Sequence, residues 1–387
     1  MNLQNRTIAH FDLDTFFVSV ERLMNSSLNG KPILIGGLSD RGVVASCSYE
    51  ARTFGVHSAM PMRMALNLCG DAIVIRGDMD LYSKYSRLVT EVIAHKAPMY
   101  EKASIDEHYI DMSGMDRFFG SYQWTHELRQ LIIQETGLPI SFGLSVNKTV
   151  SKIATGEAKP NGEKEVIQNQ VQPFLNPLSI RKIPLVGPKN YQLLSSMGVQ
   201  TIQTLSAIPP TMMESVLGKT GIEIWRRANG IDSRPVVPYS EEKSMSTERT
   251  FETDSIDVQM LNQVLTRMVE KLAFRLRQKQ RLASVVTVKI RYSNYDTHTL
   301  QKKIAYTSLD HVLMETARDL FRRVYQRRML VRLIGVKLSG LVGGAQQLNL
   351  FDNNEKMVKL YLSMDKIRMR FGSDAVRRAS GVKCRAS

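Results

Sequence analysis

Residues 103–111, Ala103-Ser104-Ile105-Asp106-Glu107-His108-Tyr109-Ile110-Asp111, set two adjacent carboxylates inside a run that otherwise reads as a strand. Adjacent acids repel each other and desolvate badly, so a strand tolerates them only where water or a cation takes up the charge. On a straight strand they face opposite ways; at a bend or a strand start both can reach one cation. A second pair, Asp12 and Asp14, follows the apolar strand at 8–11. Two strand-end carboxylate sets far apart in sequence are what a site for two Mg²⁺ needs, in which the cations clamp the attacking and leaving oxygens of a phosphoryl transfer. Either pair taken alone reads equally well as a solvated turn.

Working outward, 8–12 reads as a buried strand and 15–25 as a helix with Phe17, Val20 and Met24 at helical spacing. Strands at 32–35 and 43–46 and a helix around 60–68 make a small module. Leu81, Tyr85, Leu88 and Val92 form one apolar helical face, and Trp124, Leu128, Leu131 and Ile132 another. Strands at 100–104, 109–112 and 140–145 are expected to pair beside 8–12, which brings Asp12 near Asp106 and Glu107. Tyr49 and Arg52, three apart on a helical turn, point the same way. They suit either a grip on triphosphate oxygens or an arginine stacked on a surface tyrosine. An amphipathic helix at 147–158 leads to Lys159, after which Pro160-Asn161-Gly162 forces a turn.

Ile183-Pro184-Leu185-Val186-Gly187-Pro188-Lys189, with Leu193-Leu194 and Met197-Gly198-Val199 behind it, looks like a helix-hairpin-helix. Such a hairpin presents backbone N–H groups to one phosphate without reading sequence, which nominates Gly187 and Lys189; a plain helical turn is the alternative. Leu185 stands where a glycine is common. A linker is expected at 235–243. Residues 244–341 then run strand, helix, strand, strand, helix, strand. In 283–292, Val286, Val288 and Ile290 alternate with Thr287, Lys289 and Arg291, so one face is core and the other basic. A helical pattern follows at 356–371, and the basic tail 377–385 is expected to be poorly ordered.

The chain has 387 residues, too many for one ordinary core, and two to four domains are expected. Its charge is lopsided. Residues 1–240 hold 24 Lys/Arg against 22 Asp/Glu, whereas 241–387 hold 28 against 15. A basic module joined to a near-neutral one points to a polyanionic partner, most often nucleic acid. No apolar run reaches the roughly 18 residues of a membrane span. The N-terminal Met-Asn-Leu-Gln-Asn-Arg has no apolar signal core, so secretion is not expected. Cys47, Cys69 and Cys384 fit no metal spacing, consistent with a reducing, cytoplasmic setting.

Phe11-Asp12-Leu13-Asp14-Thr15-Phe16-Phe17-Val18-Ser19-Val20-Glu21, Tyr49-Glu50-Ala51-Arg52, Ser104-Ile105-Asp106-Glu107 and Lys159-Pro160-Asn161-Gly162 resemble, in order and in spacing, the motifs of Y-family (translesion) DNA polymerases. The Tyr-Glu-Ala-Arg form points to the DinB class. The resemblance implies an α/β (α+β) multidomain right hand: a mixed-sheet palm (1–11 and 79–169), small fingers (12–78), a helical thumb (170–234) and a little finger of four strands and two helices (244–341). It implies two Mg²⁺, replaceable by Mn²⁺, on Asp12, the Leu13 carbonyl, Asp106 and Glu107, with Asp14 behind them. Phe16, Phe17, Ser46, Tyr49, Arg52 and Lys159 would line the nucleotide site, with Phe17 as the steric gate under the sugar. Thumb and little finger would grip primer-template DNA, the former through Gly187 and Lys189, the latter through Lys289 and Arg291. His108 departs from the small residue common after the paired acids.

In the tail at 342–387, Gln347-Leu348-Asn349-Leu350-Phe351 resembles the bacterial sliding-clamp-binding peptide, with Gln347, Leu348, Leu350 and Phe351 as anchors. A monomer extending primers with dNTPs is expected. With no stretch left over for a proofreading nuclease, low fidelity is expected too. The rival readings are another two-metal enzyme, such as a nuclease or nucleotidyl cyclase, and a non-catalytic DNA-binding module.

Overall fold

The computed structural model describes residues 6–39, 41–115, 120–325, 328–344, 355–372 and 374–381. They form two compact units, Met1–Ser240 and Glu241–Ser387.

The first unit begins with β1 (Ile8–Leu13), α1 (Phe16–Met24), β2 (Ile33–Gly36), β3 (Val44–Cys47), α2 (Tyr49–Arg52), α3 (Met62–Leu68) and β4 (Ile73–Ile75). It continues through α4 (Met79–Lys96), β5 (Tyr100–Lys102), β6 (Glu107–Asp111), α5 (Ser121–Thr136), β7 (Ile140–Ser145), α6 (Lys148–Ala158) and β8 (Glu163–Val166). A five-stranded sheet has the order β5-β6-β1-β7-β8, and a smaller one the order β3-β2-β4. The large sheet is antiparallel except for β7 and β8, which run parallel with α6 as their crossover.

Strand β1 is central because it is covered on both faces, Ala9, Phe11 and Leu13 on one and Ile8 with buried His10 on the other. Ile8, Ala9 and Phe11 are fully buried, as a strand covered on both sides requires. Phe11, Ile140 and Phe142 share one core with Val89 and Ile93 of α4 and Leu128 and Ile132 of α5. On α6, Asn147 caps the N-terminus by accepting from the Val150 N–H. Gly143 lets that helix lie close on β7: a Cβ there would sit 2.2 Å from the Ser151 carbonyl oxygen.

Strand β5 ends at Lys102, two residues short of the expectation, because the chain bends through 103–106 before β6 starts at Glu107. Short helices follow: α7 (Val171–Leu175), α8 (Pro188–Ser196), α9 (Ile202–Ser206), α10 (Pro210–Leu217) and α11 (Lys219–Ala228). In the hairpin before α8, Leu185 takes φ +84°, a conformation that suits glycine, and is 49% exposed. Relieving that strain gains about 1–2 kcal/mol, against about 0.5–1 kcal/mol for glycine's extra chain entropy. Leu185→Gly is therefore expected to stabilise the first unit slightly, read as a higher denaturant midpoint.

The second unit contains β9 (Ser244–Ser255), α12 (Val258–Gln278), β10 (Arg281–Tyr292), β11 (Thr297–Thr307), α13 (Asp310–Val324), β12 (Val331–Gly343) and α14 (Glu355–Phe371). Its antiparallel sheet has the order β11-β10-β12-β9. Val286, Val288 and Ile290 of β10 are fully buried in one core with Leu265, Leu272, Leu313 and Leu320 of α12 and α13.

The expectation of a poorly ordered tail is corrected for 377–381. There Arg378 donates to the Tyr361 hydroxyl (2.9 Å) and lies 3.3 Å from Glu270, while the Gly381 carbonyl accepts from Arg267. Helix α14 docks through buried Tyr361 and through Arg277, which forks onto Asp365 (2.6 and 2.9 Å) and reaches Asp310 (2.5 Å). Losing Asp365 removes the forked half of this buried network and leaves Arg277 with Asp310 as its remaining carboxylate, so Asp365→Ala is expected to cost about 3 kcal/mol in denaturant unfolding of this unit.

Candidate active site

The sheet register sets the geometry. Asp12 and Glu107 are direct partners on antiparallel β1 and β6, and the Leu13 N–H donates to the Asp106 carbonyl at 3.2 Å. Two sequence-distant acidic segments therefore meet at one end of the sheet. The bend at 103–106 is held locally: Ser104 Oγ donates to the Asp106 carboxylate (2.5 Å) and accepts from the Glu107 N–H (3.0 Å).

The three carboxylates do not converge on one point. Asp12 pairs with Lys159 at 2.7 Å, and both Glu107 oxygens take Lys152 at 2.5 Å. Among the described residues no three His, Cys, Asp or Glu side chains are gathered as a metal cluster. The two ammonium groups stand where cationic charge is needed. Burial pushes the Asp12 carboxyl up to about 6 despite Lys159, with Glu107 and Asp106 adding to the rise. Burial also works to raise Glu107, but the His10 and Lys152 interactions outweigh it and hold that carboxyl down at about 2. The donor set, carboxylates and a backbone carbonyl, is all hard oxygen and fits divalent cations of the Mg²⁺ type.

Asp14 lies behind that rim, its Oδ1 3.7 Å from the Lys159 ammonium. It is 2% exposed and accepts from Ser141 Oγ (2.9 and 3.1 Å), the Asn161 N–H (2.6 Å) and the Tyr49 hydroxyl (3.3 Å). Lys159 Nζ also lies 3.3 Å from the Leu13 carbonyl oxygen. The Arg52 guanidinium sits 4.9 Å over the Tyr49 ring, next to a helical turn capped by Ser48. Phe16 is buried, and Phe17, half-buried, stacks on Tyr82 at 4.3 Å. Ser46 is half-buried on β3, opposite Ile35.

Residues 11–156 match the model of the impB/mucB/samB family, and residues 242–350 that of the impB/mucB/samB family C-terminal domain. A DNA polymerase IV of Dehalococcoides mccartyi (strain CBDB1) is 39% identical over 375 residues, 96% of each chain. That of Clostridioides difficile (strain 630) is 33% identical over 94% of this chain and 99% of its own. The chain belongs to the DinB class of Y-family DNA polymerases. It is a DNA-directed DNA polymerase of the translesion type, and the nuclease, cyclase and non-catalytic readings are not favoured. Among solved structures, the Y-family DNA polymerase chimera Dbh-Dpo4(243-245)-Dbh aligns with a TM-score of 0.76 at 26% identity, over 87% of this chain and all of the other. The insertion ternary complex of Dbh DNA polymerase aligns over the same shares with a TM-score of 0.63.

Members of this family depend on divalent metal ions. In this Y-family polymerase, Lys289 of β10 is held by Glu248 at 3.0 Å across the side-chain-free Gly335, and Arg291 donates to Thr297 (2.8 Å). Gly187 caps α8, and Lys189 lies exposed in its first turn. Sequence reasoning missed two neighbours of the acids, Lys152 and His10, and one neighbour of Phe17. Lys152 lies on a helix whose pattern signals only packing. His10 is buried 3.7 Å from Glu107, and burial lowers it to about 4. Tyr82 is the platform under Phe17. His108, nominated only as a departure, is fully buried with Nε2 3.0 Å from Thr90 Oγ1. The clamp-peptide residues 347–351 lie outside the described residues, as does Cys384. Among the described residues no helix is long and apolar enough to cross a membrane.

Proposed function

We propose that this polymerase transfers nucleotides at the β1–β6 strand ends, where Asp12, Asp106, Glu107 and the Leu13 carbonyl hold two Mg²⁺, with Mn²⁺ able to substitute. The observation that carries this reading is the pairing of Asp12 with Glu107 across the sheet, each neutralised by a lysine. Cations held by these oxygens would supply Lewis acidity for the primer 3′-hydroxyl and countercharge for the α-phosphate. Tyr49, Arg52 and Lys159 bind the triphosphate, with the Lys159 ammonium already poised at Asp12 beside them. Phe16, Phe17 and Ser46 belong to the nucleotide site, and Phe17 excludes a 2′-hydroxyl at the sugar.

The division into palm (1–11 and 79–169), fingers (12–78), thumb (170–234), linker (235–243), little finger (244–341) and tail (342–387) belongs to the same reading. It is supported by the separate sheets and helical cluster. Gly187 and Lys189 of the thumb and Lys289 and Arg291 of the little finger contact DNA phosphates, so affinity falls with salt. Gln347, Leu348, Leu350 and Phe351 dock on a sliding clamp, and the enzyme works in the cytoplasm as a monomer.

Primer extension on intact and damaged templates, with and without Mg²⁺ and a bacterial clamp, tests this. Extension that requires the metal and grows more processive with the clamp is expected. Extension indifferent to chelation would reject the metal assignment. Unchanged processivity with the clamp would reject the peptide assignment.

A further inference from the structure

Arg129 of α5 is 6% exposed, and all its donor groups are spent on the segment that follows α6 and on its neighbours. Its Nε donates to the Ile140 carbonyl (2.8 Å), one terminal nitrogen to Glu163 (2.8 Å), and the other to both the carbonyl (2.8 Å) and the side-chain oxygen (2.5 Å) of Asn161. Glu163 is held in turn by His126 (2.9 Å) and Tyr122 (3.0 Å).

Asn161 has φ +49°, a backbone state that asparagine tolerates, and it aims its N–H at Asp14. Asp14 also receives the Tyr49 hydroxyl. One continuous chain of hydrogen bonds thus runs from α5 through the 159–162 turn to the tip of α2, touching both Lys159's turn and Tyr49.

We propose that Arg129 is a positioning residue for the incoming triphosphate, fixing the turn that presents Lys159 and, through Asn161 and Asp14, the hydroxyl of Tyr49. This rests on the reading that Lys159 and Tyr49 bind the triphosphate. The rigid fork of Arg is what the arrangement requires: a lysine at 129 keeps the charge and can hold Glu163, but cannot also reach Ile140 and both Asn161 oxygens.

The test is steady-state extension by Arg129→Lys, Lys159→Ala and the double variant. Arg129→Lys is expected to raise KM for dNTP about ten-fold while leaving kcat within about three-fold and primer-template Kd within about two-fold. Because Arg129 acts through the Lys159 turn and the Tyr49 hydroxyl, the double variant is expected to exceed Lys159→Ala in KM by clearly less than the roughly ten-fold that Arg129→Lys causes alone. A purely structural role predicts instead that the two defects multiply and that kcat and DNA binding fall together; either result, or an unchanged KM in Arg129→Lys, overturns the proposal.

If Lys159→Ala itself leaves KM for dNTP unchanged, the triphosphate reading fails and this inference with it. Should Arg129→Lys not fold, Glu163→Gln, which keeps the side chain's shape and an acceptor for Arg129 while removing the charge, is expected to raise KM about three-fold with kcat and primer-template Kd unchanged. No change in KM there also overturns the proposal.

Discussion

Asp106→Ala is expected to reduce primer extension by roughly 10³-fold or more, since a metal-held carboxylate supplies several kcal/mol of transition-state stabilisation. Asp106 is the most informative of the three acids because it has the least structural work to do. Asp12 and Glu107 each hold a lysine, so truncating either strands a buried or half-buried ammonium. Among the described residues, Asp106 accepts only from Ser104 Oγ, two residues away, and from no lysine or arginine. Its loss should leave the sheet, both lysine pairs and the second unit intact, so primer-template affinity should stay within about two-fold. Single-turnover extension alongside a DNA-binding titration separates the outcomes. Extension within ten-fold of the parent enzyme would remove Asp106 from the metal site; lost DNA binding would mean that the fold had been damaged.

Phe17→Ala is expected to lower discrimination against ribonucleotides by about 10²-fold, the scale on which a filled or emptied volume decides substrate choice. As a gate, the ring would be held firmly by its neighbours. It stacks nearly parallel on Tyr82, 12° between planes, and Tyr82 is fully buried with its hydroxyl 2.5 Å from Glu21. Phe16 packs at its side, 5.5 Å between centroids. A ring braced in this way cannot swing aside. Competing rNTP and dNTP incorporation measures the effect, and an unchanged ratio would remove Phe17 from the gate. Loosening the platform with Tyr82→Ala is expected to weaken discrimination in the same direction but less, because the Phe17 ring remains.

Much of the fold could be read directly. The alternation of Val286, Val288 and Ile290, the helical spacing of Leu81, Tyr85, Leu88 and Val92, and the turn at Pro160-Asn161-Gly162 all report local periodicity and backbone preference. They placed β10, α4 and the end of α6 to within a few residues. The misread portions were those whose order comes from elsewhere in the chain. The 377–381 segment is polar and basic, like a solvated tail, yet Glu270 of α12 and Tyr361 of α14 give its arginine a buried partner. The partner of Lys289 on its basic strand face was likewise invisible: Glu248, two strands away, reaches it because Gly335 lies between.

The sequence by itself determined which segments are strands and helices, where the acidic pairs fall on them, and the family to which their order belongs. These follow from short-range periodicity, turn chemistry and spacing along the chain. Only the tertiary structure decided that Asp12 faces Glu107, that Lys159 and Lys152 neutralise them, that Tyr82 braces Phe17, and that Arg129 ties the Lys159 turn to Asp14. A long side chain's partner depends on strand register and helix docking, which are settled by burial of the whole core and leave no local trace.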